Sequence, residues 1–138
     1  MSSEIYCDLD TFGTELSALL QRLGVNVEEE IKPAVRKSAQ TARKEWRNNA
    51  NNTFKEMGGE HRYGESITYT VKGTGHETHA EVGSKRYPGL PHLLELGHAT
   101  VGGGFVSGRK HIEPASKVAF DQFEDDASQS VDRALESL

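Results

Sequence analysis

Apolar residues recur at three- and four-residue spacing near the start of the chain, at Leu9, Phe12, Leu16, Leu19, Leu20 and Leu23. This is the period of an amphipathic helix. Asp10 or Thr11 is placed to cap its start, and Gly24 suits the left-handed residue beyond its end. Asn26 then caps a second helix, with Glu29 in the capping-box position and Glu28, Glu29 and Glu30 where the helix dipole favours negative charge. Along its continuation Ile31, Val35, Ala39, Ala42, Trp46 and Phe54 share one face, while Arg36, Lys37, Arg43, Lys44 and Arg47 occupy the other. Pro33 falls about two turns in, where it removes one backbone hydrogen bond and is expected to bend the helix. The helix should end in the polar run Asn48 to Asn52 or just after it, before Gly58-Gly59.

From Glu65 the period changes to two. Ile67, Tyr69 and Val71 fall on one face of a strand, Gly73-Thr74-Gly75 makes a turn, and His79 to Gly83 returns as the second strand of a hairpin. Leu90 to Leu96 reads as a short helix with Pro91 in its first turn, and Ala99 to Phe105 as a further strand. Pro114 opens a last helix whose apolar positions are Val118, Ala119, Phe123, Ala127, Val131, Ala134 and Leu135. The expected class is α+β: long N-terminal helices on a small antiparallel sheet, then a short helix, a glycine-rich loop and a C-terminal helix.

Length and composition narrow this picture. The 138 residues suit one domain over 1–138, with residues 1–8 expected to be flexible. A hydrophobic fraction of 35% and a mean hydropathy of -0.63 point to much polar surface, or to a core completed by a partner. No run of about 18 apolar residues predicts a membrane span, and the acidic start MSSEIYCDLD does not read as a secretory signal. Cys7 is the single cysteine, which excludes an intrachain disulfide and fits a reducing cytosol. As a nucleophile it is poorly placed, because neighbouring acids disfavour its thiolate.

The net charge of -5 is unevenly spread. Residues 1–31 carry seven acids and one base, residues 32–62 eight bases and three acids, and residues 112–138 seven acids and two bases. Acidic ends around a basic middle can pair head to tail between copies, although solvated helix faces explain the pattern equally well.

Candidate chemistry is sparse. His76 and His79 are three apart in a turn-to-strand region, whereas the zinc-protease motif needs histidines four apart on a helix. His92, His98 and His111 would have to converge around the glycine loop to form a site, and turn-capping or interface histidines are the simpler account. Gly103 to Lys110 has two glycines at phosphate-loop spacing, but Arg109-Lys110-His111 stands where Lys-Ser or Lys-Thr is required. No nucleophile elbow is present, and Glu124, Asp125 and Asp126 are consecutive on a helix and do not converge. The basic helix could meet nucleic-acid phosphates, yet Trp46 lies on its apolar face and the pI near 5.7 opposes stable DNA binding. No catalytic set, metal or cofactor is expected.

One segment is organised like a signature: Leu94-Glu95-Leu96-Gly97-His98, a glycine loop, Gly108-Arg109-Lys110 and Ile112-Glu113-Pro114-Ala115. Together with Ser66-Ile67, Val82-Gly83-Ser84 and Tyr87, its order resembles the minor tail component family of long-tailed bacteriophages, small neck and tail-completion proteins, over about residues 30 to 135. The segment Gly58 to Gly64 departs from the family's usual Pro-x-x-Thr-Gly-x-Leu. The resemblance implies a non-enzymatic virion part at the neck or tail end, present in the host cytoplasm before assembly. It would form a ring with copies of itself and contact connector, tail-terminator or tail-tube proteins. DNA would pass through the lumen without being specifically bound. A tail-terminator role is the nearest alternative; a histidine-dependent metallohydrolase and a nucleic-acid-binding accessory protein are further ones. The resemblance implies interface residues Glu95, Gly97, His98, Gly103, Gly104 and Arg109. Arg36, Arg43 and Arg47 on the basic helix are expected to meet an acidic terminal helix of the adjacent copy.

Overall fold

The computed structural model describes residues 12–22, 27–54 and 62–136. Helix α1 spans Phe12–Arg22 and α2 Val27–Thr53; a single turn, α3, covers Arg62–Glu65. Strands β1 (Ile67–Lys72) and β2 (His79–Ser84) form an antiparallel hairpin, paired from Ile67 opposite Ser84 to Lys72 opposite His79. Helix α4 (Leu90–Leu96) runs directly into β3 (Gly97–Ala99), which pairs with β4 (Phe105–Ser107) in a second, separate hairpin. Helix α5 (Ile112–Glu136) closes the chain. The fold is α+β, with two long helices, a small antiparallel hairpin against α2, and a second hairpin carried by the short helix.

Helices α2 and α5 lie against each other through small residues. Ala34, Ala39 and Ala50 on α2, and Ala115, Ala119 and Ala134 on α5, are all buried. Alanine facing alanine lets the helix backbones approach closely, and Ser38 uses that closeness to donate its hydroxyl to the Ala119 carbonyl at 2.9 Å. Thr41 bonds Gln122 across the same seam, and Lys37 meets Asp126 at 3.6 Å. Such an exposed ion pair adds little energy. The acidic C-terminal helix thus pairs with the basic helix of its own chain.

The core widens toward the C-terminal end of α2, where Trp46, Ala50, Ile67 and Ala115 are buried together and Phe54, Tyr63, Val82 and Ile112 pack around them. Full burial of one large aromatic and one isoleucine there supplies roughly 1.5–3 kcal/mol each. The basic face of α2 is not uniformly solvated. Arg47 turns back to β1, its Nε and Nη2 donating to the Ile67 carbonyl at 3.0 and 2.8 Å, and Nη2 also to the Glu65 carbonyl at 3.2 Å. Arg43 stacks over Tyr69, its guanidinium carbon 4.9 Å from the ring centre. Arg36 and Lys44 remain exposed.

Helix α2 continues unbroken through Pro33. The expected single strand from Ala99 to Phe105 is instead the turn of a hairpin flanked by two three-residue strands. Glycines at 102, 103 and 104 favour reversal over extension, and Gly103 takes φ +86°. On α5, Val118 and Leu135 are exposed rather than inward, because α5 faces α2 through its alanine row. Residues 1–8, Cys7 and the caps Asp10, Thr11, Gly24 and Asn26 lie outside the described residues.

Candidate functional site

The signature segment divides into a buried base and an exposed projection. At the base is the start of α5. The residues preceding Ile112 are Arg109, Lys110 and His111, none of which has a short acceptor side chain to cap a helix. The orphan N–H groups are satisfied from a distance. Glu95, on α4, accepts the N–H of His111 at 3.0 Å and of Ile112 at 2.8 Å on Oε2, and that of Glu113 at 3.2 Å on Oε1. One carboxylate thus caps the first turn and faces the positive end of a 25-residue helix. Burial works to raise the Glu95 pKa and is the largest single influence. The three backbone donors and the neighbouring His111 ring outweigh it together and hold the carboxyl below its ordinary 4.5.

His111 is completely buried. Its Nδ1 lies 3.0 Å from Glu95 Oε2 and 2.9 Å from the Arg109 carbonyl, both acceptors, so Nδ1 carries the hydrogen. Nε2 lies 2.8 Å from the Tyr63 hydroxyl, which in turn accepts from Trp46 Nε1 at 3.1 Å. The network therefore runs in one direction, from Trp46 to Tyr63 to His111, whose Nδ1 hydrogen is shared between Glu95 and the Arg109 carbonyl. Burial, offset in part by the Trp46 bond and reinforced by the Glu95 charge, pushes the Tyr63 pKa up to about 12, which keeps its proton available to His111. Asn49 donates to the His111 carbonyl at 3.1 Å, and Phe54 stands edge-on to the imidazole, 4.9 Å between centroids. The ring has no exposed surface, and its bonds tie α3 and α4 to the start of α5 as a lock.

The projection begins at Gly97, where φ of +88° ends α4 and starts β3. A Cβ there would lie 2.4 Å from the Val106 carbonyl oxygen, and one on Gly108 would lie 2.3 Å from the Glu95 carbonyl oxygen. Both glycines let the outgoing and returning strands touch at their root. Arg109 pins the return: its N–H donates to the Leu94 carbonyl at 2.8 Å, and Nη1 reaches the Thr53 carbonyl at the end of α2 at 3.0 Å. The tip is a tight turn, with Thr100 N–H on the Gly104 carbonyl at 2.9 Å and Gly103 N–H on the Thr100 carbonyl at 3.1 Å. Every residue from 99 to 110 is exposed, including Val101 and, at 67% of its maximum, Phe105. Leu93 and Leu96 on α4 and Val106 on β4 continue this apolar surface.

Among the candidate interface residues, Gly103, Gly104 and Arg109 lie on the exposed hairpin and its root, and Gly97 and His98 are half-buried on β3. Glu95 is turned inward, 8% exposed. Arg36 is at the surface on α2, whereas Arg43 and Arg47 are partly buried against the first hairpin. Tyr63 and Asn49 were not visible as partners of His111 from sequence. The missing cap before Ile112 was the available signal for Glu95, since some acceptor had to serve those N–H groups. Among the described residues, no group of three His, Cys, Asp or Glu side chains could hold a metal. No helix among them is long and apolar enough to cross a membrane. Comparison with protein-family models, curated proteins and solved structures finds no match.

Proposed function

We propose that this chain is a structural virion protein of a tailed bacteriophage or prophage, a ring-forming subunit that joins head to tail or completes the tail. The observation that supports this reading most is the hairpin of residues 97–107: apolar, wholly exposed beyond residue 98, and yet fixed at its root. Monomeric proteins seldom display such a patch unless it binds something. A projection already fixed at its root has less backbone freedom to lose on docking, so a smaller part of its apolar burial is offset by ordering. The order of motifs around this hairpin carries the family resemblance, and the buried Glu95–His111 lock accounts for why those motifs stand together.

In this reading the protein has no enzymatic role and needs no cofactor. Its partners are copies of itself and neighbouring connector, tail-terminator or tail-tube proteins, with DNA passing through the lumen unbound. It resides in the virion, and in the host cytoplasm before assembly. Crosslinking with mass spectrometry on purified protein and on virions tests it. Crosslinks from Lys110 to a second copy or to a neck or tail component are expected; a strict monomer in both settings contradicts the proposal.

A further inference from the structure

Helix α4 is set with its apolar side outward. Pro91 and Glu95, four residues apart and so on one face, are buried, whereas Leu93 and Leu96 on the opposite face are 45% and 62% exposed. A short helix held by apolar burial turns its leucines inward. This one is held by a carboxylate, with Glu95 on the N–H groups of His111, Ile112 and Glu113 and beside His111 Nδ1. Arg109 adds a second fastening to the body, through the Thr53 carbonyl and the Phe54 ring. The other contacts that shape this segment are internal to it: Gly97 against the Val106 carbonyl, Gly108 against the Glu95 carbonyl, the Arg109 N–H on Leu94, and the β3–β4 pairing. Helix α4 packs closely on β3 and β3 on β4, and none of them contributes a residue to the apolar cluster around Trp46.

The segment joins the body at two places, residues 85–89 before α4 and Arg109–Lys110 after β4, both irregular and largely exposed. The entry lies at the start of α4. The exit lies beside its C-terminal half, because the Arg109 N–H bonds the Leu94 carbonyl. A line between the two junctions therefore runs along α4, and rotation about it turns Glu95 away from α5 and carries the hairpin with it.

We propose that α4 and the β3–β4 hairpin form a hinged arm, latched by Glu95, that swings open as one rigid body while α2, α5 and the first hairpin stay folded. A shift of Glu95 within the core leaves its charge without donors, but a swing of the whole arm carries the carboxylate into water. Opening then costs the latch bonds and little apolar burial beyond Pro91. Residues 85–89 and 109–110 absorb the dihedral change, as loop hinges do. Opening is a sub-global event, below the free energy of unfolding. It lets the tip change direction without repacking the core, whichever partner the tip meets, and does not depend on the ring-forming reading.

Thiol labelling of the full chain in a Cys7→Ser background tests the arm. Pro91→Cys places a thiol on the latched face of α4, and Ala39→Cys places one in the α2–α5 seam, where Ala39 is 3% exposed. Labelling should be faster at Pro91→Cys. Glu95→Gln, which replaces a charged acceptor by a neutral one, should speed it about tenfold. Ile67→Val weakens a core that the open arm leaves intact, so it should speed labelling of Ala39→Cys by up to about tenfold and leave Pro91→Cys unchanged. Hydrogen exchange on the unsubstituted chain supplies a second readout: the Ile112 amide should exchange with arm opening, while the Arg109 amide, bonded within the arm, should stay protected. If Ile67→Val speeds both thiols equally, α4 opens only with the whole fold and the arm is overturned. Labelling of Pro91→Cys that Glu95→Gln leaves unmoved overturns the latch. An Arg109 amide that exchanges as fast as that of Ile112 overturns the rigid body.

Discussion

The root and the tip of one continuous segment are built on opposite principles. At the root, the groups around the start of α5 are paired: Glu95 takes three backbone donors, and His111 has partners at both nitrogens. At the tip, apolar side chains stand in water and the backbone is held only by its own turn. A buried polar cluster that is fully satisfied specifies one geometry, because any rearrangement strands a charge. The most exposed part of the tip, around Val101, adds little to the free chain, while the Phe105 ring lies against Gly97 at the root. The contrast separates what this segment does for the fold from what it offers to a partner, and substitutions should respect that boundary.

The largest effect is expected at Trp46. Trp46→Ala removes the main aromatic of the core and the donor that orders Tyr63, and should cost about 4 kcal/mol in chemical denaturation. Next is Glu95. Glu95→Ala leaves three N–H groups at the start of α5 without an acceptor, for about 3 kcal/mol, and Glu95→Gln, which retains one acceptor oxygen, should lose less. Hydrogen exchange should speed first at Ile112 and Glu113; unchanged protection there would break the lock on which the comparison rests.

Acid reaches the same lock without mutation. The folded-state pKa of Glu95 is depressed, so its contribution is fully present above the ordinary value of 4.5 and is lost as pH falls through the lower folded value. Stability measured from pH 6 downward should therefore fall more steeply in the wild type than in Glu95→Gln. At the other extreme, Val101→Asp should change folding stability by no more than about 0.5 kcal/mol, while removing assembly. A comparable stability loss at Val101 and at Glu95 would erase the distinction between root and tip.

Local elements were well marked in the sequence. Leu90–Leu96 is a helix with the bounds its pattern predicts, and β1, β2 and the start of α5 at Ile112 lie within a residue or two of expectation. These depend on short-range periodicity and punctuation. The site was harder to read because its chemistry is long-range. Glu95 caps a helix that starts 17 residues later, Arg47 serves a strand 20 residues on, and Tyr63 meets a histidine 48 residues away. An acidic residue among leucines reads as a surface feature until the uncapped helix that needs it is placed beside it. Val118 and Leu135 face outward for a related reason: apolar period alone marks several faces of α5, and only the alanine row of α2 decides which one is buried.

The central claim is that the hairpin tip is an assembly surface with no part in folding. Native mass spectrometry of wild type and Val101→Asp, paired with their melting curves and with incorporation into particles, tests it most directly. The account predicts oligomers or incorporation for the wild type, monomers excluded from particles for the variant, and superimposable melting. A variant that assembles and incorporates like the wild type would contradict it.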